Sequence, residues 1–178
     1  MEIVQLHDKK FKPFINQKQI NTAILRLAEK IQNTYQDKSP VFIGVLNGSF
    51  LFVSDLVREF SGNCEVSFVK MASYEGVSTT GKVNELIGLN HSIKDRHVVI
   101  IEDIVDSGNT VEKLVELLAK DNPASLKIAT LLYKPKAYKK DILIDYVAME
   151  VGNEFLVGYG LDYDGLGRNL KEIYIITE

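Results

Sequence analysis

The apolar positions along this 178-residue chain form short β-branched runs that alternate with longer stretches of helical spacing. The run from Val98 to Ile101 is typical of a strand that is buried on both faces of a parallel sheet. Downstream of it, an apolar stripe at positions i, i+3, i+4 and i+7 predicts one face of a helix, formed by Val111, Leu114, Val115 and Leu118. This order of elements predicts an α/β protein whose central, mainly parallel sheet is flanked by helices.

The same periodicity predicts two further helices, one from Lys18 and one that begins near Phe50. Three loops follow predicted strands directly, after Leu46, after Ile101 and after Tyr133. Because the carboxyl ends of parallel strands share one edge of a sheet, these loops are expected to gather there. The remaining predicted strands are Val41 to Leu46, Cys64 to Met71, Leu126 to Tyr133, Ile142 to Val147, and a short one within Lys171 to Glu178.

Composition narrows the class of protein. The chain is 46% hydrophobic and 25% charged, as in soluble globular domains, and its net charge of -3 gives no electrostatic reason to bind nucleic acid. Cys64 is the single cysteine, which excludes an internal disulfide and a cysteine-based zinc site. The charged segment from Met1 to Lys10 lacks the apolar core of a signal peptide, and no apolar run reaches membrane-spanning length. The expected location is therefore the cytoplasm.

Candidate chemistry is concentrated between His97 and Thr110. Glu102 and Asp103 follow the apolar run directly, where that strand is expected to end, and Asp106-Ser107-Gly108-Asn109-Thr110 leads into the next helix. Small and hydroxyl residues at a helix start can direct N–H groups and hydroxyls at a phosphate, whereas neighbouring carboxylates suit vicinal hydroxyls or a magnesium ion. A phosphorylated sugar would satisfy both groups. The alternative, an ordinary strand–loop–helix with solvent-facing acids, leaves the acid pair unexplained.

This stretch resembles the phosphoribosyl-diphosphate binding motif of the type I phosphoribosyltransferases: apolar strand, two acids, two apolar residues, then Asp-Ser/Thr-Gly-X-Thr. The resemblance continues through five motif blocks from about Val41 to Arg168, and is strongest to the purine-salvage members. It implies the type I fold, with a small hood formed by the terminal segments. It also implies one domain over 1–178, with a core of about 20–150 and a hood from the N-terminal segment and about 151–178.

By this resemblance the chain would transfer the 5-phosphoribosyl group from phosphoribosyl diphosphate to an oxopurine, with release of pyrophosphate. Asp106 would be the catalytic base or proton partner of the purine. The purine-binding residues would be Lys134, Phe155, Leu156 and Asp162, with the ring stacked on Phe155 and the oxo group bonded by Lys134. Mg²⁺ would be held by Glu102, Asp103 and Asp162. Phosphoribosyl diphosphate would be bound by Glu102, Asp103, Asp106, Ser107, Gly108, Asn109, Thr110, Asn47, Gly48 and Arg168.

Two loops and one basic cluster complete the expectations. Asn47 stands where the family usually has a basic residue, so the pyrophosphate loop is expected to act through its backbone, with the family's cis peptide at Leu46–Asn47. The segment Ala72 to Asn84 has few apolar anchors, and its Ser73-Tyr74 pair matches the opening of the family's catalytic lid. In the basic cluster after Lys134, the side chains of Lys136, Lys139 and Lys140 are expected to form a solvated face.

Alternative functions remain open at this point. A xanthine-preferring or pyrimidine enzyme of the same superfamily is one, because Phe155 and Lys134 favour an oxopurine without ranking hypoxanthine, guanine and xanthine. A regulator that uses the fold to sense nucleotides and bind RNA is another, although the sequence lacks a broad basic surface. A response-regulator-like acidic pocket explains the acids but leaves Asp106 to Thr110 without a role. The expected partners are small-molecule substrates and further copies of the chain, as a homodimer or homotetramer.

Overall fold

The computed structural model of the protein describes residues 3–71, 85–89 and 91–177, with the backbone alone described at 85–87. The helices are α1 (Gln17–Tyr35), α2 (Phe50–Glu59) and α3 (Asn109–Ala119). The strands are β1 (Val4–Leu6), β2 (Lys9–Ile15), β3 (Val41–Leu46), β4 (Glu65–Met71), β5 (Glu85–Ile87), β6 (His97–Val105), β7 (Ser125–Tyr133), β8 (Tyr146–Glu150), β9 (Leu156–Val157) and β10 (Ile173–Thr177). No helix in these described ranges is long and apolar enough to cross a membrane.

The central sheet has the strand order β5-β4-β3-β6-β7-β8. Five of its strands run parallel, and only β5 pairs antiparallel, at the β4 edge. The predicted central, mainly parallel sheet is thus confirmed. Since β3, β6 and β7 are neighbours with one direction, the loops that follow them lie at one edge of the sheet, as expected from their sequence.

Helices cover both faces of this sheet. One core cluster joins α1 and α2 to the sheet through residues such as Ile24, Leu27 and Leu56. A second cluster on the other face includes the α3 residues Leu114 and Leu118. The apolar stripes identified in the sequence are therefore the faces that the helices bury, and the burial of a leucine side chain stabilises the fold by about 1.5–3 kcal/mol.

A second sheet, the hood, is built from segments far apart in the chain. Its strand order is β1-β2-β10-β9, and all its pairs are antiparallel. Phe11 and Val157 are fully buried in its small core, with Tyr163 and Leu170 packed against them. The N-terminal segment supplies two of these strands, β1 and β2. The hood implied by the resemblance is confirmed.

Two predicted strand boundaries were wrong. β8 spans Tyr146–Glu150 instead of Ile142 to Val147. Before Tyr146 a side chain takes the place of a strand backbone as hydrogen-bond acceptor, because the Asp145 carboxylate accepts the Ile128 N–H of β7 at 3.0 Å. β6 continues to Val105, so the strand does not end at the acid pair. Backbone pairing with β7 carries it on, with Glu102 opposite Thr130.

Candidate active site

The acid pair lies in the second half of β6, inside the protein. Glu102 is only 5% exposed, and burial, reinforced by the neighbouring Asp103 charge, raises its pKa well above the ordinary value. Burial also raises the pKa of Asp103, to about 6. The Ile104 N–H, which donates to Asp103 Oδ1 at 2.9 Å, and the charge of Arg168 act in the opposite direction. A buried carboxylate beside a half-buried one favours the binding of a cation or of hydroxyl donors.

The loop after β3 packs its backbone directly against this pair. A Cβ added to Gly48 would overlap with the Asp103 carboxylate, so only glycine allows this approach. Asn47 is exposed, and the peptide bond between Leu46 and Asn47 is cis. The hydroxyl of the fully buried Ser49 donates to the Val45 carbonyl at 2.7 Å, which ties the start of α2 back to β3.

The loop after β6 turns into α3 at a glycine. Gly108 has a φ of +87° and is the N-cap of α3, and no side chain caps the helix start. The first N–H groups of a helix lack partners within it, so the Ser107-Gly108-Asn109-Thr110 turn presents N–H donors and two hydroxyls together. Such a turn is suited to binding a phosphate.

Lys134 follows β7 and lies next to the base of this loop. Its side chain is 9% exposed, whereas that of Asp106 is 53% exposed, and the Lys134 Nζ donates to Asp106 Oδ2 at 2.9 Å. Its backbone N–H also donates to the Val105 carbonyl at 3.0 Å. The structure therefore brings together the two residues that the resemblance assigns to proton transfer and purine recognition.

The hood carries Phe155, the aromatic ring that the resemblance assigns to purine stacking. Phe155 is 45% exposed, and the Phe11 and Tyr163 rings contact it with centroid distances of 6.4 and 5.7 Å. These contacts hold the ring in place while a large part of it stays accessible to a planar ligand. Leu156, next to it, is buried and belongs to β9.

The segment around Gly160 and Arg168 lies against the loop after β3. The Arg168 guanidinium forms an ion pair with Asp162 at 2.7 Å and donates to the Gly160 carbonyl at 2.7 Å. Gly160 lies against the backbone of Gly48, whose carbonyl oxygen would overlap with a Cβ at position 160. The charges of both Arg168 and Asp162 act on Asp103. Arg168 thus lies where it can offset the charge of a polyanion beside the acid pair.

The carboxylates of Glu102 and Asp103 suit a magnesium ion that is bound together with a phosphorylated substrate. Within residues 3–71, 85–89 and 91–177, no three carboxylate, imidazole or thiol groups are arranged to hold a metal by themselves. Mg²⁺ usually keeps several waters and uses one or two carboxylates together with substrate phosphates. Glu102 and Asp103 offer such a pair, whereas both Asp162 oxygens have partners, Arg168 and the Gly165 N–H.

Comparison with known proteins agrees with this geometry. Residues 15–164 match the phosphoribosyl transferase domain family. The chain belongs to the phosphoribosyltransferases. It is 41% identical over 167 residues to a hypoxanthine-guanine phosphoribosyltransferase of Bacillus subtilis, covering 93% of this chain and 92% of that protein. It is also 41% identical over 162 residues to a hypoxanthine phosphoribosyltransferase of Salmonella typhimurium, covering 89% and 91%.

Solved structures confirm the type I fold of this phosphoribosyltransferase. The crystal structure of a hypoxanthine-guanine phosphoribosyltransferase from Bacillus anthracis, with a HEPES molecule in its active site, has a TM-score of 0.86. The two chains are 35% identical, and the match covers 94% of this chain and 97% of the other. The family, the fold class and the transferase activity inferred from the central motif are thereby confirmed.

Some contacts in this phosphoribosyltransferase were not predicted from the sequence. Tyr159 links to α2, its hydroxyl donating to Asp55 Oδ2 at 2.5 Å, and Gly160 contacts Gly48 in the loop after β3. The glycines around Tyr159 were a signal for this close approach. The solvated role expected for Lys140 was wrong, because it forms an ion pair with Glu112 at 2.6 Å. The lid pair Ser73-Tyr74 lies outside the described residues.

Proposed function

We propose that this phosphoribosyltransferase salvages oxopurines, converting hypoxanthine or guanine and phosphoribosyl diphosphate to IMP or GMP and pyrophosphate. The observation that carries this proposal is the arrangement at one sheet edge of the acid pair, the Asp106–Thr110 loop and Lys134, with Gly160 and Arg168 beside the acid pair and the loop after β3. The names of the relatives from Bacillus subtilis and Salmonella typhimurium support the same substrates.

The phosphorylated sugar is bound at two places. Ser107 and Thr110 hydroxyls and the N–H groups at the start of α3 bind the 5′-phosphate. Glu102 and Asp103 bind the 2′ and 3′ hydroxyls, as acceptors or through metal-bound water. Fixing both ends of the ribose leaves its C1 exposed to attack, which lowers the entropic part of the barrier.

The departing pyrophosphate is bound between the hood and the sheet. Backbone N–H groups of Asn47 and Gly48 and the Arg168 guanidinium offset the charge that develops as the C1–oxygen bond breaks. C1 carries oxocarbenium-like charge at the transition state, as in glycoside hydrolysis. Glu102 and Asp103 would hold Mg²⁺, which would supply further neutralisation of the pyrophosphate charge.

The purine nitrogen loses its proton as it attacks C1, and Asp106 accepts that proton. The Lys134 ammonium donates to Asp106. On binding, the Lys134 ammonium also donates to the purine 6-oxo group, while Phe155 stacks on the ring. An ammonium can donate hydrogen bonds but cannot accept them, so this contact selects oxo over amino purines.

A product assay tests the proposal directly. Purified protein, Mg²⁺ and phosphoribosyl diphosphate are incubated separately with hypoxanthine, guanine, xanthine, adenine and uracil, and the nucleotides are separated by chromatography. IMP and GMP are expected, with adenine a poor substrate; removal of Mg²⁺ with EDTA should abolish turnover. Efficient use of adenine or uracil, or the absence of nucleotide from every base, would contradict the proposal. Lys134→Met should lose the preference for oxopurines, whereas Lys136→Met, a change of an exposed lysine nearby, should keep it.

The protein is further proposed to act in the cytoplasm as a homodimer or homotetramer. Exposed large apolar side chains, Leu25, Phe50 and Leu143 among them, are available for contacts between copies. Size-exclusion chromatography with light scattering distinguishes a monomer, which would contradict this assembly, from a dimer or a tetramer.

A further inference from the structure

The segment 134–142, which follows β7, packs against the Asp106–Thr110 loop at Ser107 and Gly108. A Cβ on Gly108 would lie 2.5 Å from Tyr138 Cε2 and 2.8 Å from Lys140 Cγ, so both side chains rest directly on this glycine. The Lys139 N–H also donates to the Ser107 carbonyl at 3.4 Å. Gly108 is therefore held in its positive-φ conformation by the packing of the segment 134–142 against it.

Tyr138 is itself held in a fixed orientation. Its hydroxyl donates to the Ile142 carbonyl at 2.6 Å, and its ring contacts the Tyr133 ring edge-to-face with centroids 5.5 Å apart. Its backbone N–H donates to the Lys134 carbonyl at 3.1 Å. The ring is thus a rigid surface beneath Gly108, connected to β7 on one side and to residue 142 on the other.

Lys140 pairs with the negative charge in the first turn of α3, that of Glu112. Its Nζ forms an ion pair with Glu112 Oε2 at 2.6 Å, and its side chain is 21% exposed. Glu112 lies in the first turn of α3, the turn whose N–H groups the proposed function assigns to the 5′-phosphate. Without its partner, this carboxylate would repel the bound dianion and would be free to turn towards it.

We propose that Tyr138 and Lys140 are positioning residues for the 5′-phosphate site, an inference that rests on the proposed function. Tyr138 fixes the direction of the N–H groups around Gly108, and Lys140 neutralises Glu112 and holds it away from the phosphate. The segment after Lys134 thereby affects phosphate binding indirectly. It supports the loop that binds the phosphate and does not contact the ligand itself.

The test compares two ligands that differ only in the phosphate, IMP and inosine, by calorimetry or competition. Tyr138→Leu removes the flat ring, and we expect it to weaken IMP binding roughly 10- to 100-fold, since a displacement of about 1 Å can cost about 100-fold. Inosine binding should change by less than about twofold, as for a surface substitution. Tyr138→Phe keeps the ring over Gly108 and should retain most of the IMP affinity. Lys136→Ala, an exposed lysine of the same segment, is the matched control.

The Lys140–Glu112 pair gives a second measurement that does not depend on Tyr138. Lys140→Met should weaken IMP binding roughly two- to fivefold, the size expected for a partly exposed ion pair. Adding Glu112→Gln to Lys140→Met should restore the affinity, because the charge that repels the phosphate is removed. A purely structural role of Lys140 predicts no such rescue and equal losses for IMP and inosine.

The outcomes separate this inference from the proposed function. If the wild-type protein makes no nucleotide, the proposed function fails. If the wild-type protein is active but Tyr138→Leu weakens IMP and inosine equally, or neither, the positioning role of Tyr138 is wrong. If Tyr138→Leu does not fold, the test is the IMP affinity of the double variant Lys140→Met with Glu112→Gln. Failure of Glu112→Gln to restore the affinity lost in Lys140→Met would overturn the proposal.

Discussion

The close approach of Gly160 to Gly48 makes a sharp prediction about the junction of hood and core. Gly160 has a φ of +99°, and a Cβ there would overlap with the Gly48 carbonyl oxygen. Non-bonded heavy atoms ordinarily stay about 3.5 Å apart, so Gly160→Ala must move one of the two loops by more than about 1 Å. Misplacement of this size can cost about 100-fold in rate, equal to about 2.7 kcal/mol of transition-state stabilisation.

Gly165 provides the matched control for this substitution. Its φ of +86° imposes a similar conformational cost on alanine, about 1–2 kcal/mol, but nothing lies within 4 Å of the added Cβ. Both variants should lose comparable free energy of unfolding in urea from backbone strain, with an additional loss in Gly160→Ala. Only Gly160→Ala should lose about 100-fold in kcat/KM for phosphoribosyl diphosphate. Similar kcat/KM values for two folded variants would refute the idea that the Gly160–Gly48 contact positions the loop after β3, which is proposed to bind pyrophosphate.

Three further predictions concern single side chains. Tyr159→Phe removes the hydrogen bond to Asp55 and should lower the free energy of unfolding by about 1–2 kcal/mol in urea titrations; Tyr146→Phe, which loses an exposed bond to Thr34, should cost less than about 0.5 kcal/mol, and the reverse order would contradict this. Asp106→Asn should lower kcat by about 10²–10⁴-fold while phosphoribosyl diphosphate still binds, and an unchanged kcat would remove Asp106 from proton transfer. Leu27→Ala, at a 1% exposed position of α1, should cost about 2–5 kcal/mol. Leu25→Ala, at a 47% exposed position of the same helix, should cost under about 0.5 kcal/mol, and equal losses would show that the assigned buried face is wrong.

Local patterns were sufficient to predict most of the central sheet and its helices. β3 was predicted at its observed bounds, and α3 buries the stripe that includes Leu114 and Leu118. The short-range spacing of apolar residues predicts these elements, because the face of a helix or strand that packs on the core is apolar. The order of motifs along one sheet edge followed from the same reasoning, since parallel neighbours share their carboxyl ends.

What local patterns did not give were contacts made across the fold. Asp145 ends the irregular stretch before β8 by accepting an N–H from β7, and nothing in its own neighbourhood indicates that partner. The sequence predicts Lys140 to be one of several solvated lysines. In the fold it packs on Gly108 and forms an ion pair with Glu112 of α3. A charge run is solvated by default, so an ion pair within it depends on where another segment lies.

The pairing of β2 with β10 has a consequence for when a molecule of this protein becomes active. Thr177 and Lys10 bond to each other across a separation of 167 residues. Phe155 is held by the same strand, since its carbonyl accepts the Ile176 N–H at 3.1 Å. The aromatic ring proposed to receive the purine is therefore placed only after the ribosome has released residues 173–177. All six strands of the central sheet, in contrast, precede residue 151. A nascent chain can therefore pair that sheet while still unable to bind a base, and Ile173 joins the core cluster of α1 and α2 afterwards.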